Sequence, residues 1–360
     1  MTPPDTMRAM VTMGHGDLDQ MVLHSDWPRP EPASDEVLIR VGACGLNNTD
    51  VNTRSGWYSK TVSEATTGGA FEEVGTEDPT WGGAPISFPR IQGADVCGEI
   101  VAVGANVDPA RIGERVITDG WLRDADDLEN IDKTGYFRSE RDGGFAEYTT
   151  IPARNALVVQ TELTDAELAT FSCSYSTAEG MLTRANVTEA DTVLVPGASG
   201  GVGGALVQLS KRRGARVIAM ASAAKHAEVA KLGPDILLPR APEDLRAALG
   251  DDRITVVADI VGGPYWPTLI DILERGGRYT CSGAIAGPMV DLDLRTFYLR
   301  DLTFTGSTVI DPHVFTDLVH LIETGAIRPV LAATYPLSEL RAAQAAFISK
   351  SHTGNIVVLP

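Results

Sequence analysis

The segment Val193–Gly203, which reads VLVPGASGGVG, decides the fold of this chain. Its first three residues are apolar and predict a short buried strand, and an apolar-periodic helix runs from about Val202 to Arg213, where Gly214 ends it. A glycine-rich turn between a strand and a helix is typical of dinucleotide binding, because residues without a Cβ let the backbone approach a pyrophosphate closely. The helix N-terminus then offers free N–H groups and partial positive charge to the phosphates.

Strands and helices alternate on the C-terminal side of this turn. The helices are expected to end at Gly233 and Gly250 and to span Tyr265–Arg275. Nearly all-apolar strands in this alternation predict an α/β fold with a doubly wound parallel sheet. The further strands are expected at Arg216–Ala221, Asp235–Leu238, Ile254–Asp259, Arg278–Ser282 and Leu302–Val309.

The rest of the chain follows a different pattern. The part before about residue 160 reads as short strands and turns, with Val37–Val41 and Gly98–Val103 as β-branched runs. After about residue 326 the sequence returns to a strand at Val330–Tyr335, a helix at Ser338–Ser349 and a strand at Ile356–Leu359. We expect this tail to rejoin the N-terminal domain.

The end of the second strand indicates which dinucleotide binds. NAD-binding versions of the turn place a carboxylate there to hold the ribose 2′-hydroxyl. In this chain the strand ends at Ala221, and Ser222 and Lys225 follow it with no carboxylate among them. A hydroxyl and an ammonium can bind a 2′-phosphate, so the sequence favours NADP(H) over NAD(H).

Length and charge narrow the function further. The chain has 360 residues, enough for about two domains, and carries 30 Lys and Arg against 48 Asp and Glu, a net charge of −18. This acidity disfavours nucleic acid and anionic membranes as partners. Four scattered cysteines without a C-x-x-C pair fit a reducing compartment, and we find neither a signal peptide nor a membrane span. A cytoplasmic enzyme is therefore expected.

The order and spacing of short motifs make the whole chain resemble the medium-chain dehydrogenase/reductase superfamily, in particular its zinc-independent quinone oxidoreductase-like branch. The resemblance implies a GroES-like β-rich catalytic domain over residues 1–172 and 325–360, a Rossmann dinucleotide-binding domain over residues 173–324, and hydride transfer in the cleft between them. Besides the glycine-rich turn, the segments that carry it are Met7–Val11, Gly45–Asp50, Arg54–Tyr58, Gly93–Val101, Gly143–Tyr148, Asp259–Gly263 and Gly276–Arg278.

The chain departs from the zinc enzymes of this superfamily at their metal ligands. Asn47 stands where they have a cysteine, and Ala94 and Asp95 stand where they have a His-Glu pair. Only Cys173 matches a ligand, and residues 119–143, which match their structural zinc lobe, contain no cysteine. Catalytic zinc needs about three protein ligands, so we expect no metal. A rearranged site that combines Cys173 with Asp95 or Asp50 stays open.

Without a metal to polarise an alcohol, reduction of a conjugated carbonyl is the favoured chemistry, because hydride adds to a carbon that is already electron-poor. Asn47 and Tyr58 match positions that line the active site of zinc-free quinone oxidoreductases, and we predict that they donate hydrogen bonds or a proton. Asn52 replaces a second tyrosine of that site, and Asp50 and Arg54 are expected to pair with each other. The cofactor residues predicted from the turn, the strand end and the resemblance are Thr177, Ala198, Ser199, Gly200, Gly201, Val202, Gly203, Ser222, Lys225, Gly283, Ser307 and Asn355.

The sequence therefore predicts an NADPH-dependent reductase of a small quinone or α,β-unsaturated carbonyl. Two other readings stay open: an alcohol dehydrogenase with an atypical metal site, and a non-catalytic NADPH-binding protein on the same fold. The long segment 59–90 is expected to cover the pocket with Trp57, Phe71 and Trp81, or else to contact a second subunit. Pairing of the Leu302–Val309 strand between subunits would give a homodimer or homotetramer.

Overall fold

The N-terminal part of the chain is built mainly from β-strands. The structure, a computed structural model, describes residues 4–71, 74–75, 78 and 80–360. Helices α1 (Asn48–Ser55) and α2 (Asp165–Leu168) belong to this part, whereas the next helix, α3 (Ser172–Arg184), packs mainly against the second part of the chain. The strands of the N-terminal part are β1 (Thr6–Thr12), β2 (Met21–Pro28), β3 (Glu36–Gly45), β4 (Arg90–Ile91), β5 (Asp95–Val103), β6 (Arg115–Thr118), β7 (Trp121–Leu122), β8 (Gly135–Tyr136), β9 (Tyr148–Pro152) and β10 (Ala156–Val158).

The second part of the chain is the predicted doubly wound parallel sheet. Six strands form it: β11 (Thr192–Val195), β12 (Arg216–Ala221), β13 (Ile236–Pro239), β14 (Ile254–Asp259), β15 (Leu273–Cys281) and β16 (Thr303–Gly306). Their spatial order, β13-β12-β11-β14-β15-β16, is that of the Rossmann fold, so the prediction of the fold class is confirmed. The helices that accompany it are α4 (Gly201–Arg212), α5 (His226–Ala230), α6 (Leu245–Leu249), α7 (Trp266–Asp271), α8 (Leu294–Leu299) and α9 (Val314–Glu323).

Alternating side chains along the central strands show why this sheet is covered on both faces. Val193, Val195 and Val217 belong to one buried apolar cluster, whereas Leu194 and Ile218 belong to another. Successive side chains of a strand point to opposite faces, so a strand that is apolar throughout must pack against helices on both sides.

The last three elements return to the N-terminal sheet, as predicted. They are β17 (Leu331–Pro336), α10 (Leu340–Ile348) and β18 (Asn355–Leu359), and β18 pairs antiparallel with β3. The sheet then runs β10-β6-β5-β3-β18-β17, with β9 also paired to β3. Just before β18, the N–H of Gly354 donates to the carbonyl of Ser199 at 2.8 Å, which ties the tail to the glycine-rich turn. The domain boundaries near residues 172 and 325 stay predictions.

Two predicted elements are too long. The helix expected over Tyr265–Arg275 ends at Asp271, because Leu273 already pairs with Ile254 as the first residue of β15. Gly276, with φ of 76°, then bends the strand before regular pairing resumes. The strand expected over Leu302–Val309 is confined to β16, which lies at one edge of the sheet.

Candidate active site

A cavity of about 1030 Å³ lies between the two parts of the molecule. It runs from the carboxyl ends of β11 and β14, where the order of the parallel strands reverses, to helix α1 in the N-terminal part. Open parallel sheets bind their ligands at this reversal point. The position of the cavity therefore fits a dinucleotide at one end and its reaction partner at the other.

The glycine-rich turn forms the floor of the cavity below the N-terminus of α4. A Cβ on Gly203 would lie 2.2 Å from the carbonyl oxygen of Gly197, and one on Gly201 would lie 2.4 Å from Ser174 Oγ, so these two glycines are required for packing. A Cβ on Gly200 would meet nothing closer than 3.7 Å and Gly200 lines the cavity, so this glycine leaves room for a ligand. The first N–H groups of α4 have no intrahelical acceptor and are available to an anion.

Three basic side chains line the same end of the cavity. Lys225 donates to the carbonyl of Lys350 at 2.6 Å, and Lys350 donates to Asn48 Oδ1 at 2.7 Å. Arg240, which directly follows β13, is the third. Among the described residues no carboxylate forms an ion pair with any of them, although the chain carries a net charge of −18. Unpaired cations gathered in one cleft form an anion site.

Burial and mutual repulsion act on this basic cluster. Burial, with the nearby charge of Lys225, lowers the pKa of Lys350 to about 7. Burial also lowers the pKa of Lys225, to which Arg240 adds, and that of the adjacent His352, which falls to about 4. A bound phosphate would offset the repulsion among these positive charges, so the cluster suits an anion.

Asn47, which caps the N-terminus of α1, and Tyr58, which follows the end of α1, also line the cavity. The backbone N–H of Asn47 donates to Asp50 at 2.9 Å, which fixes the start of the helix, while its side-chain Nδ2 is buried without a hydrogen-bond partner among the described residues. Tyr58 is 40% exposed, on a surface that lines the cavity, and the surrounding protein raises its pKa to about 12. The two predicted residues therefore present two hydrogen-bond donors to one space.

An aromatic wall, formed by Trp57, Tyr58, Trp81, Tyr136 and Trp121, borders these donors. Successive ring centroids lie 5.6, 5.3, 5.5 and 4.7 Å apart, and all five rings line the cavity. Such offset and edge contacts suit a planar, conjugated molecule placed against them. Trp121 and Tyr136 come from the segment 119–143, to which the sequence assigned no role at the site.

Arg138, which the sequence analysis missed, is the buried cation of this region. It is fully buried, its Nη1 donates to Thr53 Oγ1 at 2.8 Å, and its Nε lies 3.7 Å from Asp50 Oδ1. The predicted pair of Asp50 with Arg54 is wrong. Arg54 turns away from the cavity instead, because the amide of Gln344 on α10 and two backbone carbonyls satisfy its donors.

The residues at the zinc positions of related enzymes do not form a metal-binding set. In the described part of the chain no group of three His, Cys, Asp or Glu side chains could hold a metal ion. Burial raises the pKa of Cys173 to about 12 and that of Asp95 to about 7, which favours a neutral thiol and a partly protonated carboxyl. Asn47 and Ala94 supply no ligand of the kind that zinc prefers. Cys173 and Asp95 therefore fall short of the roughly three protein ligands that catalytic zinc needs.

Most of the predicted cofactor residues line the cavity, and three do not. Ala198 is buried and donates its N–H to the carbonyl of Met220, and Gly203 is packed inside the first turn of α4. Ser307 is buried, and its neighbour Thr308 lines the cavity instead. The residues that do line it are Thr177, Ser199, Gly200, Gly201, Val202, Ser222, Lys225, Gly283 and Asn355.

The long segment 59–90 also contributes to the cavity. Its residues Val74, Thr80 and Trp81 line the space next to Tyr58, whereas Phe71 does not. Residues 72, 73, 76, 77 and 79 lie outside the described residues. The described part of the segment thus covers the substrate end, in agreement with the expectation that it borders the pocket.

Two family models match the chain on either side of the cavity. The alcohol dehydrogenase GroES-like domain matches residues 33–161, and the zinc-binding dehydrogenase domain matches residues 201–324. A solved structure from Sinorhizobium meliloti, provisionally named an alcohol dehydrogenase, is 47% identical over 99% of this chain and 98% of that chain, with a TM-score of 0.90. The chain belongs to the medium-chain dehydrogenase/reductase superfamily.

Relatives in this superfamily are oxidoreductases, and this dehydrogenase/reductase is one too. Acryloyl-coenzyme A reductase of Metallosphaera sedula is 28% identical over 98% of this chain and 99% of its own length. The chloroplastic NADPH-dependent alkenal/one oxidoreductase of Arabidopsis thaliana is 26% identical over 99% of this chain and 80% of its own length. None of the helices in the described ranges is long and apolar enough to cross a bilayer.

A nicotinamide dinucleotide, on which the superfamily depends, fits the residues of this cleft. Gly200 leaves open space at the N-terminus of α4, where a pyrophosphate needs close backbone approach. Ser222, Lys225 and Arg240 follow the adjacent strands β12 and β13 and line the cavity. Rossmann folds hold the adenosine ribose near the end of the second strand. Thr177 and Gly283 line the cavity further on, toward Asn47 and Tyr58.

Proposed function

We propose that this protein is an NADPH-dependent reductase of α,β-unsaturated carbonyl compounds, quinones included, that works without a catalytic metal. One observation carries the proposal. The buried, unpartnered Asn47 Nδ2 and the Tyr58 hydroxyl line the same cavity as the basic cluster, and no metal-ligating group of side chains accompanies them in the described ranges.

These residues suit conjugate reduction better than alcohol oxidation. When bound, a reduced nicotinamide supplies a hydride, that is, two electrons and one proton. As the β-carbon of the substrate accepts it, the double-bond electrons shift and the carbonyl oxygen gains one negative charge. Asn47 Nδ2 and the Tyr58 hydroxyl are placed to donate hydrogen bonds to that oxygen. One proton, delivered to the α-carbon from Tyr58 or water, then completes the saturated carbonyl.

The names of two relatives support this class of substrate. Acryloyl-coenzyme A and alkenals or alkenones all carry a carbon–carbon double bond conjugated to a carbonyl. The aromatic wall adds a surface on which a planar conjugated molecule would stack. We propose that the segment 59–90 acts as a cover over that substrate, and its deletion should raise KM more than it lowers kcat.

The basic cluster supports NADP(H) as the cofactor. Lys225, Arg240 and Lys350 would neutralise the 2′-phosphate, and Ser222 would donate a hydrogen bond to it. An NAD-type site would instead present a carboxylate after β12, and none stands there. The predicted cofactor residues that line the cavity would hold the rest of the dinucleotide.

The testing experiment measures NADPH consumption against quinones, enones, enoyl thioesters, simple aldehydes and ketones, with and without a strong chelator. We expect chelator-resistant reduction of conjugated carbonyls, and its loss in the double variant Asn47→Ala, Tyr58→Phe. Chelator-sensitive reduction of simple aldehydes or ketones would instead favour an alcohol dehydrogenase with an atypical metal site. Tight NADPH binding without any turnover would favour a non-catalytic role.

A further inference from the structure

Arg138 occupies a backbone position that normally belongs to glycine. The N–H of Ser139 donates to the carbonyl of Tyr136 at 3.0 Å, which closes a turn with Arg138 as its third residue, and its φ is 81°. Turns with this conformation at the third residue favour glycine, because a Cβ is strained there. A strained residue in a site indicates that its side chain is needed.

Burial of the Arg138 side chain also costs free energy. The side chain is 0% exposed, and its Nε and Nη2 have no hydrogen-bond partner among the described residues. Its ionic contact with Asp50 is 3.7 Å long. Strain, burial of a charge and unsatisfied donors all fall on one residue, and packing alone gives no reason for this combination.

The guanidinium lies directly behind the aromatic wall. Its carbon is 5.4 Å from the ring centroid of Trp81 and 5.6 Å from that of Tyr136, and both rings line the cavity although Arg138 does not. Burial raises the pKa of Tyr58 and of Tyr136, and the charge of Arg138 opposes this rise at both hydroxyls. Arg138 therefore makes these hydroxyls better hydrogen-bond donors toward the cavity.

We infer that Arg138 is a positioning residue that supplies the positive charge of the substrate site and acts through Tyr58 and Tyr136 on the carbonyl oxygen of the substrate. The inference rests on the proposed function. The oxygen gains one negative charge when hydride reaches the β-carbon and loses it when the α-carbon takes up a proton. A nearby fixed cation stabilises that intermediate charge more than it stabilises the neutral substrate, so it lowers the barrier rather than KM.

The experiment compares three variants of the full-length protein. Arg138→Gly removes the charge and relaxes the turn, and Arg138→Lys keeps the charge. Arg54→Lys is the matched control, because Arg54 is equally buried but each of its three side-chain nitrogens donates a hydrogen bond away from the wall. Two quantities are measured: kcat and KM with the best conjugated carbonyl, and the apparent pKa of bound 4-nitrophenol from its absorbance, which needs neither NADPH nor turnover.

For Arg138→Gly we expect kcat to fall about 10- to 100-fold with KM changed less than about threefold. The bound 4-nitrophenol should ionise at higher pH than in the wild type, and Arg138→Lys should restore part of both effects. Arg54→Lys should lower the melting temperature and leave both measurements as in the wild type. If Arg138→Gly does not fold, Arg138→Gln takes its place as the neutral variant.

The inference is overturned if the neutral variant keeps the wild-type kcat and nitrophenol ionisation, or if Arg138→Lys restores neither. A failure of the proposed function looks different. In that case the wild type itself reduces no conjugated carbonyl, while the ionisation of bound 4-nitrophenol still reports whether Arg138 provides the charge.

Discussion

The affinity for NADPH should decrease as the pH rises, because Lys350 must be protonated to bind a phosphate. Its pKa lies at about 7 in the free protein, where burial and Lys225 oppose its charge, instead of near 10.5. Binding of the dianionic 2′-phosphate would then be coupled to proton uptake.

The size of the effect follows from the charged fraction of Lys350. The apparent Kd rises as that fraction falls. If the neutral form binds the phosphate about tenfold more weakly than the charged form, the Kd should rise about sevenfold between pH 6 and pH 8.5. The Lys350→Met variant should bind about tenfold more weakly than the wild type at pH 6, since it lacks one charge-assisted contact. Its Kd should then stay almost constant up to pH 8.5.

Isothermal titration calorimetry in two buffers of different ionisation enthalpy measures both the Kd and the number of protons taken up. The wild type should take up about half a proton near pH 7.5, because a tenfold preference for the charged form raises the pKa of Lys350 by about one unit on binding, and Lys350→Met should take up none. Lys231→Met is the control, because Lys231 caps the C-terminus of α5 in the Rossmann domain, where it is exposed and paired with Glu228. A wild-type Kd that does not change with pH, or an equal change in Lys350→Met, would refute the reasoning.

Three further predictions concern the glycine-rich turn, the buried carboxyl and the subunit contact. Gly203→Ala should destabilise the fold by about 1–3 kcal/mol, because its Cβ would lie 2.2 Å from the Gly197 carbonyl, whereas Gly200→Ala should fold normally and lose NADPH affinity. Melting temperatures measure the first effect and calorimetry the second, and equal stability of the two variants would contradict the prediction. Asp95 has a pKa of about 7 against 3.8 in the unfolded chain, so its ionisation reduces the free energy of unfolding as the pH rises from 4 to 7. Asp95→Asn should therefore gain stability over the wild type by at most about 1.4 kcal/mol per pH unit in that range. Urea unfolding at pH 5 and pH 8 measures the difference in stability between the two proteins, and a difference that does not change with pH would count against the buried carboxyl. Leu294 and Leu299 on α8 are 65% and 60% exposed near the edge strand β16. The double variant Leu294→Glu, Leu299→Glu should therefore convert the expected dimer to monomers, which light scattering measures as a halved mass. An unchanged mass would place the subunit contact elsewhere.

The local parts of this structure could be read from the sequence, and the parts that join distant segments could not. The glycine-rich turn and the alternation after it predicted the Rossmann sheet, because each strand and its helix are adjacent in the chain. Arg240 could also have been found. It follows β13, which pairs in parallel with β12, so its side chain had to lie beside the end of the strand that carries Ser222.

No pattern in the sequence indicates that Lys350 or Arg138 belongs to the site. Lys350 reaches the cleft only because β18 inserts beside β3, more than 300 residues away in sequence, and brings the preceding turn to Asn48. Arg138 belongs to a charged, irregular segment without periodicity, and only its contacts with Asp50 and Trp81 reveal its place. The predicted Asp50–Arg54 pair failed for a related reason: spacing along a helix cannot tell which side chain a distant helix will satisfy.

The return of the tail to the N-terminal sheet has a consequence for biosynthesis. The glycine-rich turn is hydrogen-bonded through Ser199 to Gly354, and both Asn355 and Lys350 line the cleft. A ribosome that has finished the whole Rossmann sheet has therefore not yet made the residues that close the cofactor cleft. Until β18 takes its place beside β3, the nascent protein lacks part of its dinucleotide site, so the cofactor can stabilise the protein fully only after this last strand has been made and inserted.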